Sequence, residues 1–155
     1  MRGKKAPKRE ITPDPKFNSV VIAKFTNYLM RGGKKTVAEK IVYDAFDIIE
    51  EKMKKNPQDI FDLAIKNVAP NLEVKGRRVG GANYQVPIQV KAERRFILAS
   101  RWILEAANSR KGRPMAEKLA QELMDASKKE GIAMKKRENV QKMAEANRAF
   151  AHFAR

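Results

Sequence analysis

The stretch LEVKGRRVGGANYQVPIQV, which runs from Leu72 to Val90, decides how the rest of the chain is interpreted. On both sides of a glycine pair, apolar side chains occupy alternate positions, which is typical of strands that bury one face. Gly80 and Gly81 can adopt the positive φ angles that a tight hairpin turn requires. We therefore predict a two-stranded β-hairpin over residues 72–90. Three cations lie on this ribbon: Lys75, Arg77 and Arg78.

The segments on either side of the hairpin are predicted to be helical, because their apolar residues recur every three or four positions. Asparagine, proline and glycine at the segment ends supply caps and stops, with Asn18 as the cap of the first helix. The expected fold is mainly α: a six-helix body with a projecting hairpin between the third and fourth helices. The predicted helices run from about Asn18 to Met30, Thr36 to Met53, Pro57 to Pro70, Ala92 to Asn108, Pro114 to Gly131 and Met134 to Phe153.

The length of 155 residues suits one domain with one core. Residues 1–16 are basic and contain three prolines, so they are expected to form a flexible arm, and residues 17–155 a single domain. The predicted core positions include Val21, Phe25 and Leu29 in the first helix, with Ile22 beside them, Ile41, Ala45, Ile48 and Ile49 in the second, and Trp102 in the fourth.

The charge balance is strongly basic. Lys and Arg outnumber Asp and Glu by 34 to 18, which gives a formal net charge of +16. Such an excess predicts a polyanionic partner, with nucleic acid as the first candidate and an anionic membrane surface as the second. Between Glu39 and Asp62 the acids outnumber the bases by seven to four, so the second helix is expected to face away from the polyanion.

The residue types present also limit the chemistry. The chain has no cysteine and one histidine, so disulfides and thiolate zinc sites are excluded, and no metal, cofactor or enzymatic activity is predicted. The basic N-terminus lacks the apolar segment of a secretory signal, and no stretch approaches the roughly 20 apolar residues of a membrane span. A soluble, cytoplasmic protein is the expectation.

Basic clusters recur along the chain, and together they predict one broad surface that binds phosphates and stacks on unpaired bases. Tyr84, just past the hairpin turn, is predicted either to stack on a base or to pack across the ribbon on Leu72 or Val74. The predicted phosphate-binding residues are Arg2, Lys4, Lys5, Lys8, Arg9, Lys34, Lys35, Arg94, Arg95, Arg101, Arg110, Lys111, Arg113, Lys135, Lys136 and Arg137, and the predicted hairpin contacts are Lys75, Arg77, Arg78 and Tyr84.

The stretch RRVGGANYQVP, residues 77–87, resembles the hairpin motif of the small-subunit ribosomal protein seven family in its bacterial form. The resemblance extends over nearly the whole chain, in order and spacing. The further matching stretches are MRGGKKTVAEKIVYDAF (Met30 to Phe46), NVAPNLEV (Asn67 to Val74), ELMDA (Glu122 to Ala126) and KKRENVQKMAEANRAFAHF (Lys135 to Phe153).

This resemblance implies a structural, non-enzymatic protein of the small ribosomal subunit. It implies primary binding to the 3′ major domain of the subunit's RNA, where family members nucleate assembly of the head. It further implies that the hairpin and the C-terminal helix lie near the exit-site transfer RNA and the messenger RNA, and that small-subunit proteins nine and eleven are neighbours. The predicted phosphate-binding residues would then contact ribosomal RNA, and the hairpin residues would face transfer and messenger RNA.

Two other classes of protein remain open on the residues alone. A DNA-bending protein also joins a helical body to a basic ribbon, whose proline inserts between bases; Pro87 could take that role. Pro87 lies well down the second strand, however, and the basic residues outside the ribbon suit a folded RNA better than a duplex groove. A peripheral membrane protein needs an amphipathic helix, and the last helix combines basic residues with an apolar side of mostly Ala and Met.

Deletion of residues 1–9 is expected to weaken RNA binding and to flatten its salt dependence, because this segment carries five of the predicted cations. Fluorescence anisotropy titrations over a series of salt concentrations measure the slope. An unchanged slope would show that the segment does not contact the RNA.

Overall fold

A computed structural model describes Gly3, Ala6, Pro7 and residues 9–154. Six α-helices with a hairpin between the third and fourth confirm the predicted mainly α fold for this part of the chain. The chain divides into two compact units, Met1–Lys40 and Ile41–Arg155. The expected arm over residues 1–16 and single domain over residues 17–155 stay predictions.

The elements are α1 (Val20–Leu29), α2 (Lys35–Met53), α3 (Pro57–Val68), β1 (Leu72–Val79), β2 (Ala82–Gln89), α4 (Ala92–Ser109), α5 (Met115–Ser127), α6 (Ile132–Ala146) and a C-terminal 3-10 helix (Arg148–Ala154).

In the unit Met1–Lys40, α1 begins after a turn that is built on the buried carboxylate of Asp14. This carboxylate accepts two backbone N–H hydrogen bonds at 3.1 Å, and the Asp14 carbonyl accepts one from the N–H of Asn18 at 2.7 Å. The prediction that Asn18 caps the helix is wrong, because Asn18 lies in the turn with φ of 48°. Ser19 is the cap, and its hydroxyl oxygen accepts an N–H hydrogen bond from the first helical turn at 3.5 Å.

The buried face of α1 differs from the predicted one. Phe25 and Ile22 are buried as expected, but Val21 is 42% exposed, and Thr26 is buried. The Thr26 hydroxyl donates a hydrogen bond to the Ile22 carbonyl at 3.0 Å, which satisfies its polar group within the helix. A pattern that counts only apolar residues could not include Thr26.

In the unit Ile41–Arg155, the core is formed by helices that pack around α5. This helix contacts α3 and α4, and α6 packs on α4 and on β1. The rings of Phe46 and Phe61 lie 5.8 Å apart, and Trp102 is buried as predicted.

The predicted cap Asn56 is confirmed, since its Oδ1 accepts a hydrogen bond from the Gln58 N–H at 3.0 Å. The stripe of α2 is partly wrong: the residues buried there are Val42, Ala45, Phe46 and Ile49, whereas Ile41 and Ile48 are half-buried.

The hairpin forms at the predicted place, with its turn at the predicted glycine pair. Leu72 pairs with Gln89 and Val79 with Ala82, so Gly80 and Gly81 form a two-residue turn with φ of 58° and 87°. Positive φ at both turn positions matches the twist of the strands and favours glycine. The base of the hairpin is packed, whereas the outer half of β1 is exposed.

Pro87 lies on β2 at a buried position opposite Val74. A buried proline cannot insert between base pairs. Pro87 therefore cannot be the inserting proline that the DNA-bending interpretation requires.

The predicted continuous helix from Met134 to Phe153 is wrong. Helix α6 begins at Ile132 and ends at Ala146, and the chain continues as the 3-10 helix. Asn147 separates the two, because both its side-chain Nδ2 and its backbone N–H donate to the Met143 carbonyl, at 2.8 and 3.1 Å. A side chain that competes for a helical carbonyl favours a helix end. The 3-10 helix packs on β2.

Helix α6 starts without a capping side chain of its own. Instead, Glu122 of α5, which is fully buried, accepts the N–H of Ala133 at its Oε1 atom at a distance of 2.9 Å. The chain approaches this carboxylate closely at Gly131, where φ is 98° and an added Cβ would lie 2.9 Å from the same oxygen. Gly131 thus lets a carboxylate from one helix cap the next.

Replacement of Gly131 by Ala is expected to lower the free energy of unfolding by about 2 kcal/mol or more, because the variant combines a strained φ with a collision at Glu122. Urea denaturation followed by circular dichroism measures the change. The control is Gly76→Ala, where the added Cβ meets nothing within 4 Å. Equal stability of the two variants would contradict the close approach.

Candidate nucleic-acid interface

Most of the predicted RNA-contacting cations that the structure describes, those of the hairpin included, fall into two sets. We call a cation internally paired when its charged group bonds to another residue, and open when it is exposed and makes no such bond within the part of the chain that the structure describes. Arg2, Lys4, Lys5 and Lys8 lie outside the described residues. Arg101 is exposed on α4. The internally paired cations are Lys35, Lys75, Arg77, Arg94, Arg95, Arg110, Lys136 and Arg137, and the open ones are Arg9, Lys34, Arg78, Lys111, Arg113 and Lys135.

In the unit Met1–Lys40, the structure describes three of the predicted phosphate-binding residues: Arg9, Lys34 and Lys35. Arg9 and Lys34 are exposed, and Lys34 lies in the turn that follows α1. Lys35 is one helical turn from Glu39, and its Nζ lies 3.7 Å from Glu39 Oε1. An exposed pair of this kind contributes little stability and leaves the lysine available to a phosphate.

At the base of the hairpin, Glu73 holds two of the predicted contacts. Lys75 Nζ lies 2.8 Å from Glu73 Oε1, and Arg94 Nε, from the first turn of α4, lies 3.3 Å from Glu73 Oε2. Burial alone would raise the pKa of Glu73, but the hydrogen bonds and the positive charges of Lys75 and Arg94 outweigh it and hold the pKa below its usual value. Arg95 donates from Nε to the Val90 carbonyl at 3.2 Å, which ties α4 to the end of the ribbon.

Near the turn of the hairpin, Arg77 and Arg78 have different surroundings. Arg77 donates from Nη1 to the Phe153 carbonyl of the 3-10 helix at 2.7 Å. Arg78 is exposed and its guanidinium bonds to no described residue, so it is the open cation of the ribbon. The C-terminal 3-10 helix thus lies along the ribbon, a contact that the sequence did not predict.

Tyr84 makes a contact that neither predicted alternative included. Its ring lies 5.1 Å, centroid to centroid, from both Phe150 and Phe153 of the 3-10 helix. His152, the only histidine, has its ring 4.0 Å from Phe153. Tyr84 therefore belongs to an aromatic cluster that attaches the 3-10 helix to β2, and stacking on a base stays a prediction for its remaining exposed part.

The loop between α4 and α5 combines one paired arginine with two open cations. Arg110 donates from Nε and Nη2 to Glu122 Oε2 at 3.0 and 2.6 Å, and from Nη2 to Asp125 Oδ2 at 2.6 Å. Burial alone would lower the pKa of Arg110, but the hydrogen bonds and charges of the two carboxylates raise it. The neighbouring Lys111 and Arg113 are exposed and open. An open groove of about 490 Å³ lies here, lined by Arg110, Lys111, Arg113, Glu117, Lys118 and Gln121.

The cluster Lys135 to Arg137 on α6 is also divided. Lys135 is open, whereas Lys136 Nζ lies 2.9 Å from Glu105 Oε1. Arg137 donates from Nη1 to the Asn67 carbonyl at the end of α3, at 2.7 Å. The sequence predicted an external anion for the whole cluster, but two of its three charges have partners inside this unit.

Sequence reasoning missed the groups that pair these cations. The carboxylates are Glu39, Glu73, Glu105, Glu122 and Asp125, and Asn67 is a further hub whose Nδ2 donates to the carbonyls at the end of α5, both at 3.0 Å. Two pairs have a local signal: the spacing of Glu73 and Lys75 places both side chains on one face of a strand, and that of Lys35 and Glu39 places both on one face of a helix. The other partners are distant in sequence and come together only in the folded unit.

Within the described residues, no group of three or more His, Cys, Asp or Glu side chains is arranged to hold a metal ion. A membrane-spanning helix is likewise not found there, since none of the described helices has the required length and apolarity.

The protein is basic and helical, and it carries a β-ribbon. Its open cations lie near a hairpin turn, in a loop and at a helix start. These features define a nucleic-acid-binding protein. The family model for ribosomal protein S7p/S5e matches residues 1–148, and the chain belongs to this family. It is therefore a structural constituent of the ribosome, not an enzyme, and its partners are ribosomal RNA and other ribosomal proteins. The resemblance found from the motifs is confirmed.

The chain is similar to proteins named small ribosomal subunit protein uS7 in several bacteria. It is 59% identical to that of Thermotoga neapolitana over 153 residues, which cover 99% of each chain. It is 60% identical to that of Polynucleobacter necessarius over 152 residues, or 98% of this chain and 97% of the relative. The match to the Ralstonia pickettii protein is 59% with the same coverage.

Open and paired cations on one helix are expected to respond differently to the same substitution. Arg137→Gln should lower the free energy of unfolding by about 2 kcal/mol, because the Asn67 carbonyl loses a charged donor. Lys135→Gln should change stability by less than about 0.5 kcal/mol and reduce the salt slope of RNA binding by about one. Urea denaturation and salt-dependent anisotropy titrations measure the two effects. Equal changes in stability and in salt slope for both variants would contradict the division into paired and open cations.

Proposed function

We propose that the chain is a primary binding protein of the small ribosomal subunit, which binds the 3′ major domain of its RNA and nucleates assembly of the head. The observation that carries this proposal is the set of open cations on three separate parts of the unit Ile41–Arg155: Arg78, Lys111, Arg113 and Lys135. Their charges are not compensated within the described chain and are available to phosphates. Family membership supports ribosomal RNA as the polyanion.

The separation of these cations favours a folded RNA. A duplex groove is contacted by one element and its immediate flanks, whereas a junction of RNA helices presents phosphates in several directions. A hairpin turn, an interhelical loop and the start of α6 supply cations from different elements. The internally paired cations hold these elements in place, so the phosphates meet a preformed surface.

The hairpin is proposed to lie near the exit-site transfer RNA and the messenger RNA, as the family resemblance implies. Exposure of the outer half of β1, with Arg78 open, supports a contact made by charge. Packing of Tyr84 on Phe150 and Phe153 favours electrostatic contact over stacking by this ring. Small-subunit proteins nine and eleven are the proposed neighbours. The proposed location is the small ribosomal subunit in the cytoplasm.

A competition experiment tests the proposal. The full chain is bound to a labelled fragment of the 3′ major domain at moderate salt, and unlabelled duplex DNA or duplex RNA of equal length is added. We expect the ribosomal fragment to compete far better than either duplex, and chemical footprinting to protect a junction within it. Displacement by duplex DNA at equal concentration would contradict the proposal.

Charge substitutions in the α4–α5 loop sharpen this test. Lys111→Gln with Arg113→Gln is expected to reduce the salt slope by about two, one for each phosphate that the variant no longer neutralises. The matched control is Lys52→Gln with Lys55→Gln, which removes the same charge from the acidic segment that is predicted to face away from RNA. Equal reductions of the salt slope by the two double variants would contradict a specific contact between this loop and the RNA.

A further inference from the structure

Glu73 lies at the centre of a small ionic cluster, which we define as Glu73, Lys75 and Arg94. Its side chain is 12% exposed, whereas those of Lys75 and Arg94 are 53% and 43% exposed. The carboxylate is therefore on the inner side of the cluster, and the two cations are on the outer side. Lys75 comes from β1 and Arg94 from α4, so the cluster joins the ribbon to the helix that follows it.

The hydrogen bonds of the cluster leave most donors available. Arg94 uses Nε to reach Glu73 Oε2, and its two terminal nitrogens make no hydrogen bond to the described residues. A guanidinium fixed through Nε presents its terminal N–H groups as a fork of the kind that binds phosphate oxygens. Lys75 uses one of its donors for Glu73 Oε1 and retains two others. Glu73 thus orients two cations without covering them.

We propose that Glu73 determines the selectivity of this protein for its own RNA, by holding Lys75 and Arg94 in one orientation and by cancelling one of their two charges. The proposal rests on the function proposed above. An RNA that places a phosphate at the base of the hairpin meets two oriented donors. An RNA without a phosphate at that place meets a cluster of net charge +1, and it gains little from nearby but misplaced phosphates.

Removal of the carboxylate charge is expected to change the affinity for the two kinds of RNA by different amounts. A generic duplex gains, because the local charge rises by one and the freed side chains can reach phosphates in many positions. The ribosomal RNA gains the same charge but loses the fixed orientation, so its affinity changes less. The ratio of the two affinities must therefore fall.

The experiment uses Glu73→Gln in the full chain, which preserves the size of the side chain. We expect binding to a generic duplex RNA to tighten by about fivefold, the effect of one unit charge at hydrogen-bonding distance in water. The salt slope for this duplex should steepen by about one. The preference for a fragment of the 3′ major domain over the duplex should fall by a similar factor. Unchanged slope and unchanged preference would overturn the proposal.

The matched control is Glu93→Gln. Glu93 is an exposed acid in the first turn of α4, next to Arg94, and its carboxylate bonds to neither cation of the cluster. Its removal makes the same change in net charge without releasing Lys75 or Arg94. Equal effects of Glu93→Gln and Glu73→Gln would mean that only net charge matters, and the proposal would be wrong.

A second comparison tests whether the effect of Glu73→Gln requires Lys75 and Arg94. In the background Lys75→Gln with Arg94→Gln, addition of Glu73→Gln should not change the slope for duplex RNA, because no cation remains to be released. A persistent change would overturn the proposal, and circular dichroism melting curves ensure that all variants are compared while folded. If the unmodified chain does not prefer the ribosomal fragment, the proposed function fails. The difference between the Glu73 and Glu93 variants on duplex RNA still tests the role of Glu73.

Discussion

Glu122 has a fully buried carboxylate, and a buried carboxylate is tolerated only where hydrogen-bond donors surround it. The donors come from two other segments: the backbone of Ala133 at the start of α6 and the guanidinium of Arg110 in the α4–α5 loop. Loss of Arg110 would leave the buried charge without a counter-ion, and loss of the Ala133 N–H would remove one of its hydrogen bonds, so the three segments hold one another in place. Lys111 and Arg113 follow Arg110 closely in sequence, and their positions therefore depend on a carboxylate that is itself fully buried.

The division of the cations changes the meaning of the net charge of +16. Arg110 and Arg137 bond to interior acceptors, and Lys75, Arg94 and Lys136 have their charges opposed by nearby carboxylates. Those cations connect the hairpin base, the α4–α5 loop and α6 to the rest of the unit Ile41–Arg155. Part of the basic excess therefore stabilises the fold, although Lys75 and Arg94 also keep donors for a phosphate. The protein thus uses its basic residues both to build the surface and to provide its charge.

Local patterns in the sequence were sufficient for most elements. Alternation around Gly80 and Gly81 predicted the hairpin and its turn, and Asn56 before Pro57 predicted the start of α3, because each depends on neighbouring residues alone. The break at Asn147 was missed, since it depends on one side chain competing for a carbonyl within an otherwise helical pattern. The partners of the cations were missed for another reason. Arg137 and Asn67 are 70 residues apart, and no periodicity relates them.

The hairpin consists of two strands that pair only with each other among the described residues, so each strand has one edge without a strand partner. Such edges invite pairing with a strand of another molecule and can start aggregation. Lys75, Arg77 and Arg78 place three positive charges along β1, and two ribbons that approach edge to edge therefore repel each other. The cations that are proposed to contact RNA would thus also oppose edge-to-edge pairing between copies that have not yet bound RNA.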